Sequence, residues 1–143
     1  MKLSQYLNKN KSTPLSVQVD GEEIEDVFFR RLTAGEGYQL KEAVATLVQM
    51  ASDFVAEGSS AEDVAELGEQ AKQRMNPEQI KALFRMQKLF CYLHLGNKDG
   101  SRRYTSEKEF DKEVPDEFVE AFYVAGSAHK KKEEPGAEAE KNS

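Results

Sequence analysis

The chain has 143 residues, of which 26 are acidic and 20 basic, giving a net charge of -6 at neutral pH. This length suits one domain with a real hydrophobic core and leaves no room for a second full domain. The acidic balance disfavours a general attraction to phosphate backbones or anionic lipid, so neither nucleic acid nor a membrane is expected as a partner.

The first residues, Met1 to Thr13, carry Lys2, Lys9 and Lys11 but no apolar run of the kind that forms a signal-peptide core. No later stretch approaches the roughly 20 apolar residues needed to span a bilayer. The single cysteine, Cys91, cannot close an internal disulfide, and a reducing cytoplasm is the expected compartment.

Leu15 to Val19 alternates apolar and polar residues, Asp20-Gly21 is a pair favoured in tight hairpin turns, and Ile24 to Leu32 is rich in β-formers. A β-hairpin is predicted. Its turn side holds Asp20, Glu22, Glu23, Glu25 and Asp26, a density that raises the question of a cation site. A solvated tip that discourages edge-to-edge strand pairing is the simpler explanation.

Thr33 and Glu36 have capping-box spacing, and from there Leu40, Ala43, Val44, Leu47, Val48, Ala51, Phe54 and Val55 recur as one helical stripe. A helix over 36–57 is predicted, stopped by Gly58. Ser59-Ser60 ahead of Glu62-Asp63 opens a thinner helical segment through Val64, Leu67, Ala71 and Met75, loosened by Gly68. Asn76-Pro77-Glu78-Gln79 then combines a cap, a proline at the first helical position, an acid near the positive helix end and a capping glutamine. The helix it opens, over 77–95, is apolar around more than half its circumference, which suits a central element or one that faces both core and partner.

Asn97 to Ser101 is turn chemistry, and Ser106 with Glu109 repeats the capping-box spacing ahead of a short helix near 107–113. Val114-Pro115 interrupts it. Phe118, Val119, Phe122, Tyr123 and Val124 mark a last helix, expected to end at Gly126. Beyond it, Ala128 to Ser143 has no large apolar residue, and 127–143 is predicted to be a disordered charged tail. The expected fold is therefore α+β: a single domain over 1–126, in which an N-terminal β-hairpin precedes a mainly α-helical body.

Chemistry is hard to place on this pattern. His94 and Cys91 lie three residues apart on one helix face, a spacing compatible with a metal or thiolate site, yet their neighbours are apolar and no second cysteine exists. Packing in the core or at an interface accounts for both. His129 falls in the expected tail. Aligning Asn97 to Gly100 with a calcium loop puts Leu95 and Ser106 at the positions that need acids, and Gly35-Glu36-Gly37 lacks the rest of a phosphate loop. The pairs Arg30-Arg31 and Arg102-Arg103 read as solvated surface. No catalytic residue, metal ligand or cofactor is assigned, and binding of other proteins is the expected activity.

The order of a leading strand, Asp20-Gly21, a second strand ending in Arg30-Arg31-Leu32-Thr33-Ala34-Gly35-Glu36, and a helix resembles the tail assembly chaperones of long-tailed bacteriophages. The stretch Asn97 to Thr105, followed by an acidic helix and Val114-Pro115, is similar to the endings of such small tail-module proteins. The resemblance covers roughly residues 14–126. It implies a protein of the infected bacterial cytoplasm, absent from the mature virion. Such a protein binds the tape measure protein, helps recruit tail tube subunits and forms homo-oligomers.

The resemblance suits the helices 36–57 and 77–95 as the contact surface, with Phe84, Met86, Phe90 and Leu93 as protein-binding candidates; core packing is the plain reading of the same four. In this family the chaperone gene is often read through a ribosomal frameshift near its end. The codons of Lys130, Lys131 and Lys132 could supply a slippery run there, whereas a solvated charge run is the plainer reading. An unrelated cytoplasmic helical adaptor is the alternative to the phage protein.

Overall fold

The computed structural model describes residues 1–9 and 11–133. Its helices start where side chains are placed to satisfy otherwise orphaned amides. Thr33 Oγ1 accepts from the Glu36 amide at 3.3 Å while Glu36 Oε1 accepts from the Thr33 amide at 2.9 Å, opening α2 (Ala34–Met50). The same reciprocal pair joins Ser60 with Asp63 ahead of α3 (Ala61–Val64), and Asn76 with Gln79 ahead of α5 (Pro77–His94). Ser106 accepts from the Glu109 amide to open α6 (Glu107–Glu113). Two further helices, α1 (Leu3–Asn8) and α4 (Glu69–Arg74), are short, and α7 (Asp116–Glu133) closes the described chain.

The N-terminal strands form the expected hairpin and more. β2 (Val17–Val19) and β3 (Glu22–Ile24) are antiparallel, with Val17 opposite Ile24. Asp20 and Gly21 turn them with φ of 52° and 81°, the two positive values that a tight two-residue hairpin requires. The expected second strand does not continue to Leu32. Asp26 takes a φ of 59° and breaks it. The chain resumes as β4 (Phe28–Arg30), which pairs with β1 (Ser12–Pro14) on one side and β5 (Leu95–Gly96) on the other.

Helix α5 is the central element, packed against α2 and α7. Phe29 from β4 joins these layers: its ring stacks on His94 at 4.2 Å and lies 6.0 Å from both Phe90 and Phe122. Tyr123 closes the layer from α7, its hydroxyl donating to the Ala61 carbonyl at 2.6 Å.

Three expected boundaries move. Helix α2 stops at Met50 and not near residue 57, because Gln79 Nε2 donates to the Met50 carbonyl at 2.9 Å and the chain turns to bury Ala51 and Val55. The loose segment 59–75 divides into α3 and α4, with Gly68 as the N-cap of the second.

The largest shift concerns Gly126, expected as a helix stop. Helix α7 runs through it, and a Cβ at that position would sit 2.7 Å from Phe29 Cε2 and 2.9 Å from Phe90 Cε1. The glycine permits close helix approach. Residues 127–133 are thus helical and not a disordered tail, with Ser127 buried, while 134–143 of the expected tail lie outside the described residues.

Candidate protein-binding groove

Of the four contact candidates on α5, only Phe84 is on the surface, 59% exposed; Met86, Phe90 and Leu93 are each 0% exposed. These three follow one another at the four-and-three spacing of a single helix face, which is turned into the core, whereas Phe84 stands two residues away on the outer side. The wide apolar circumference of α5 is thus explained by neighbours on several sides: α2, α7 and β4 all pack on it.

An apolar groove lies along α2. Its Leu40, Val44, Ala45 and Val48 floor a groove of about 720 Å³, walled on the far side by the loop and helix start from Glu57 to Glu62. Leu32 closes one end. The loop reverses at Gly58, whose φ of 85° is unfavourable for residues with a side chain, and the Ser60 cap then fixes the direction of α3. Lys41 and Lys130 stand at the rim together with Glu57. An apolar floor under a charged rim is the ordinary chemistry of a groove for an amphipathic helix.

The lysine run forms part of this wall. Lys130 Nζ lies 2.7 Å from Glu62 Oε1, and Lys131 pairs with Glu66 and, at 3.6 Å, with Asp63. Burial pushes the Glu62 carboxyl up, but the hydrogen bond and charge of Lys130 outweigh it and hold it below the usual range. The C-terminal turns of α7 are in this way tied to α3, where a solvated run was expected. Lys132 is exposed.

The two arginine pairs are also split between surface and interior. Arg30 is buried, its Nη1 2.7 Å from Glu36 Oε2 and 2.8 Å from the Leu93 carbonyl. Arg102 Nε reaches the same Glu36 oxygen at 2.7 Å. Burial alone would raise the Glu36 carboxyl, yet the bonds from Arg30, Thr33 and Arg102 bring it down to about 2. One carboxylate thereby caps α2 and joins two arginines that the sequence assigned to solvent. Arg31 and Arg103 remain exposed.

His94 is fully enclosed; its Nδ1 donates to the Arg30 carbonyl at 2.9 Å, and burial brings its pKa down to about 3 despite that bond. Cys91 is buried beside it on α5, and burial pushes its thiol well up. His129 is not in a loose tail but sits on α7, its ring 5.2 Å from Phe29 and its Nε2 3.1 Å from Thr13 Oγ1. Both histidines serve packing around Phe29.

At the hairpin, Glu22 and Glu23 are exposed and Glu23 accepts from Ser16 Oγ at 2.9 Å. Among the described residues no group of three His, Cys, Asp or Glu side chains is placed to hold a metal ion, and no helix is long and apolar enough to cross a membrane.

The groove was only half visible in the sequence. Leu40, Val44 and Val48 of its floor belong to the stripe that marks α2, but Ala45 does not, and the spacing gives no sign that one edge of the stripe stays open. The chain matches no family model, no curated protein and no solved structure.

Proposed function

We infer that the chain is a tail assembly chaperone of a long-tailed bacteriophage. In this reading it works in the host cytoplasm as a binding module and not as an enzyme: it holds the tape measure protein in soluble form and helps recruit tail tube subunits. The observation that carries the reading is the groove on α2, with Val44, Ala45 and Val48 on its floor and Lys41, Glu57 and Lys130 around it. A tape measure protein exposes long amphipathic helices, whose apolar faces need reversible cover, and such a groove covers them without covalent chemistry. The layout of hairpin, Arg30-to-Glu36 junction and following helix supports the same reading.

Co-expression with the candidate tape measure protein tests it. The wild-type chain is expected to keep that protein soluble and to co-purify with it. Ala45→Glu, at an exposed floor position, is expected to abolish both while leaving the circular dichroism spectrum unchanged. A tape measure protein that stays insoluble and unbound beside the folded wild-type chain would overturn the proposal.

A further inference from the structure

The groove on α2 has two unlike ends, and the contacts at each fix its place. Gln79 Nε2 donates to the Met50 carbonyl, so the start of α5 lies at the end of α2. At the opposite end Arg30 Nη1 donates both to Glu36, at the start of α2, and to the Leu93 carbonyl, near the end of α5. The last turns of α7 belong to this second end, since His129 packs on Phe29 and Phe29 stacks on His94. Lys130, the next residue, holds Glu62 there. The far wall therefore runs opposite to α2: it begins at Ser52, two residues after α2 ends, passes Glu57 and reaches Glu62 toward the beginning of α2.

Charge is divided along the same axis. Glu62 and Lys130 offset each other, which leaves Lys41 and Glu57 as the charged lining residues with no ion pair among the described residues; both are exposed. Lys41 stands one turn beyond Gly37, at the end where the α2 amides present their positive dipole and where Arg30 and Arg102 outnumber Glu36. Glu57 stands on the Ser52 side of Glu62, toward the end where the α2 carbonyls are negative. Any helix laid in the groove also has unlike ends, with roughly half a positive charge at its N-terminus and half a negative charge at its C-terminus. One direction is thereby favoured over the other. From Gly37 to Gln49 the floor runs roughly 18 Å at 1.5 Å per residue, the length of about twelve helical residues.

We propose that the groove takes the amphipathic helix of its partner in one direction, antiparallel to α2, with the N-terminal end of that helix at Gln49 and Glu57 and its C-terminal end at Lys41. Apolar side chains at three-and-four spacing on the bound helix meet Leu40, Val44 and Val48, and the two rim charges set which way it lies. The inference rests on the reading of the groove as the seat of a partner helix but not on which protein supplies that helix, and it adds the direction of docking and the residues that determine it.

A synthetic amphipathic peptide of about twelve residues tests the direction against the full chain. It is blocked at both ends and built from leucine, alanine and glutamine, so that only its helix dipole distinguishes one end from the other. A photo-crosslinking group is placed at the first residue in one version and at the last in a second, and the attached sites are read by mass spectrometry. The N-terminal group is expected to attach at Gln49, Ser52 or Glu57, and the C-terminal group at Gly37 or Lys41. Ala45→Glu is expected to abolish both patterns. Lys41→Glu combined with Glu57→Lys is expected to cut the bias between the two ends by roughly five-fold or more. Attachment in the reverse order, or by both groups equally at both ends, overturns the direction while leaving the groove as a binding site. An unchanged bias in the double variant overturns the assignment to Lys41 and Glu57. Attachment by neither version within the groove overturns the groove as a helix site, and the direction with it.

Discussion

The cluster around Phe29 and the groove on α2 are built from similar residues and do opposite things. In the first, Phe90, His94, Phe122 and His129 surround Phe29 from two helices, Tyr123 packs on Phe90, and polar atoms are bonded inward: His94 to the Arg30 carbonyl, Tyr123 to the Ala61 carbonyl. In the second, Leu40 and Val44 are just as apolar and nearly as buried, yet they line an open channel with charges standing around its mouth. The difference is made by a third element. Over Phe29, α7 approaches closely because Gly126 has no side chain; over α2, the chain turns away at Ala51 and returns as a loop. Apolar content alone does not separate a core from a binding surface.

The comparison breaks most completely in acid. His94 titrates near 3 when folded against an ordinary 6.5, so the unfolded chain takes up its proton first; this stability is complete above 6.5 and is lost as pH falls toward 3. Glu36 is depressed to about 2 from 4.5, so its contribution is complete above 4.5 and is lost as pH falls toward 2. Chemical denaturation at a series of pH values is expected to show stability declining in two overlapping steps, the first of which disappears in His94→Gln.

Next in size is Glu36→Ala. It leaves the buried Arg30 facing Arg102 without a carboxylate and also removes half of the α2 capping box, an expected loss of about 4 kcal/mol in urea denaturation. Gly126→Ala forces a methyl group against Phe29 and Phe90 and is expected to cost about 2 to 3 kcal/mol, seen as a lower melting temperature. Lys130→Ala sits at the groove wall, where the pair with Glu62 is partly exposed; its expected cost is about 1 kcal/mol or less, and a larger fall would place that wall within the core.

Much of the fold was legible because its signals are local. Asp20-Gly21 marks the hairpin, and Thr33, Ser60, Asn76 and Ser106 each open a helix through a partner three residues on. The misread features depend on residues far away in the chain. Gln79 ends α2 by taking the Met50 carbonyl, a contact 29 residues long in sequence. Gly126 looks like a stop until Phe29 and Phe90 are placed beside it. Arg30 and Arg102 look solvated until Glu36 is found between them, 66 residues from the second.

The groove was obscured in the same way. The sequence assigned contact roles to Met86, Phe90 and Leu93 because α5 has the broadest apolar surface, but that breadth follows from being packed on several sides. Val48, on a narrower stripe, and Ala45, beside that stripe, are the positions left open. Phe84 is the one α5 candidate still available on the surface, and it does not line the groove.

That leaves two exposed sites to be compared directly. The decisive measurement is the yield of tape measure protein co-purifying with the wild type, Ala45→Glu and Phe84→Ala, each checked for folding. If the α2 groove is the binding surface, Ala45→Glu loses the partner and Phe84→Ala retains it. Retention by Ala45→Glu together with loss by Phe84→Ala would contradict that assignment and return the contact to α5.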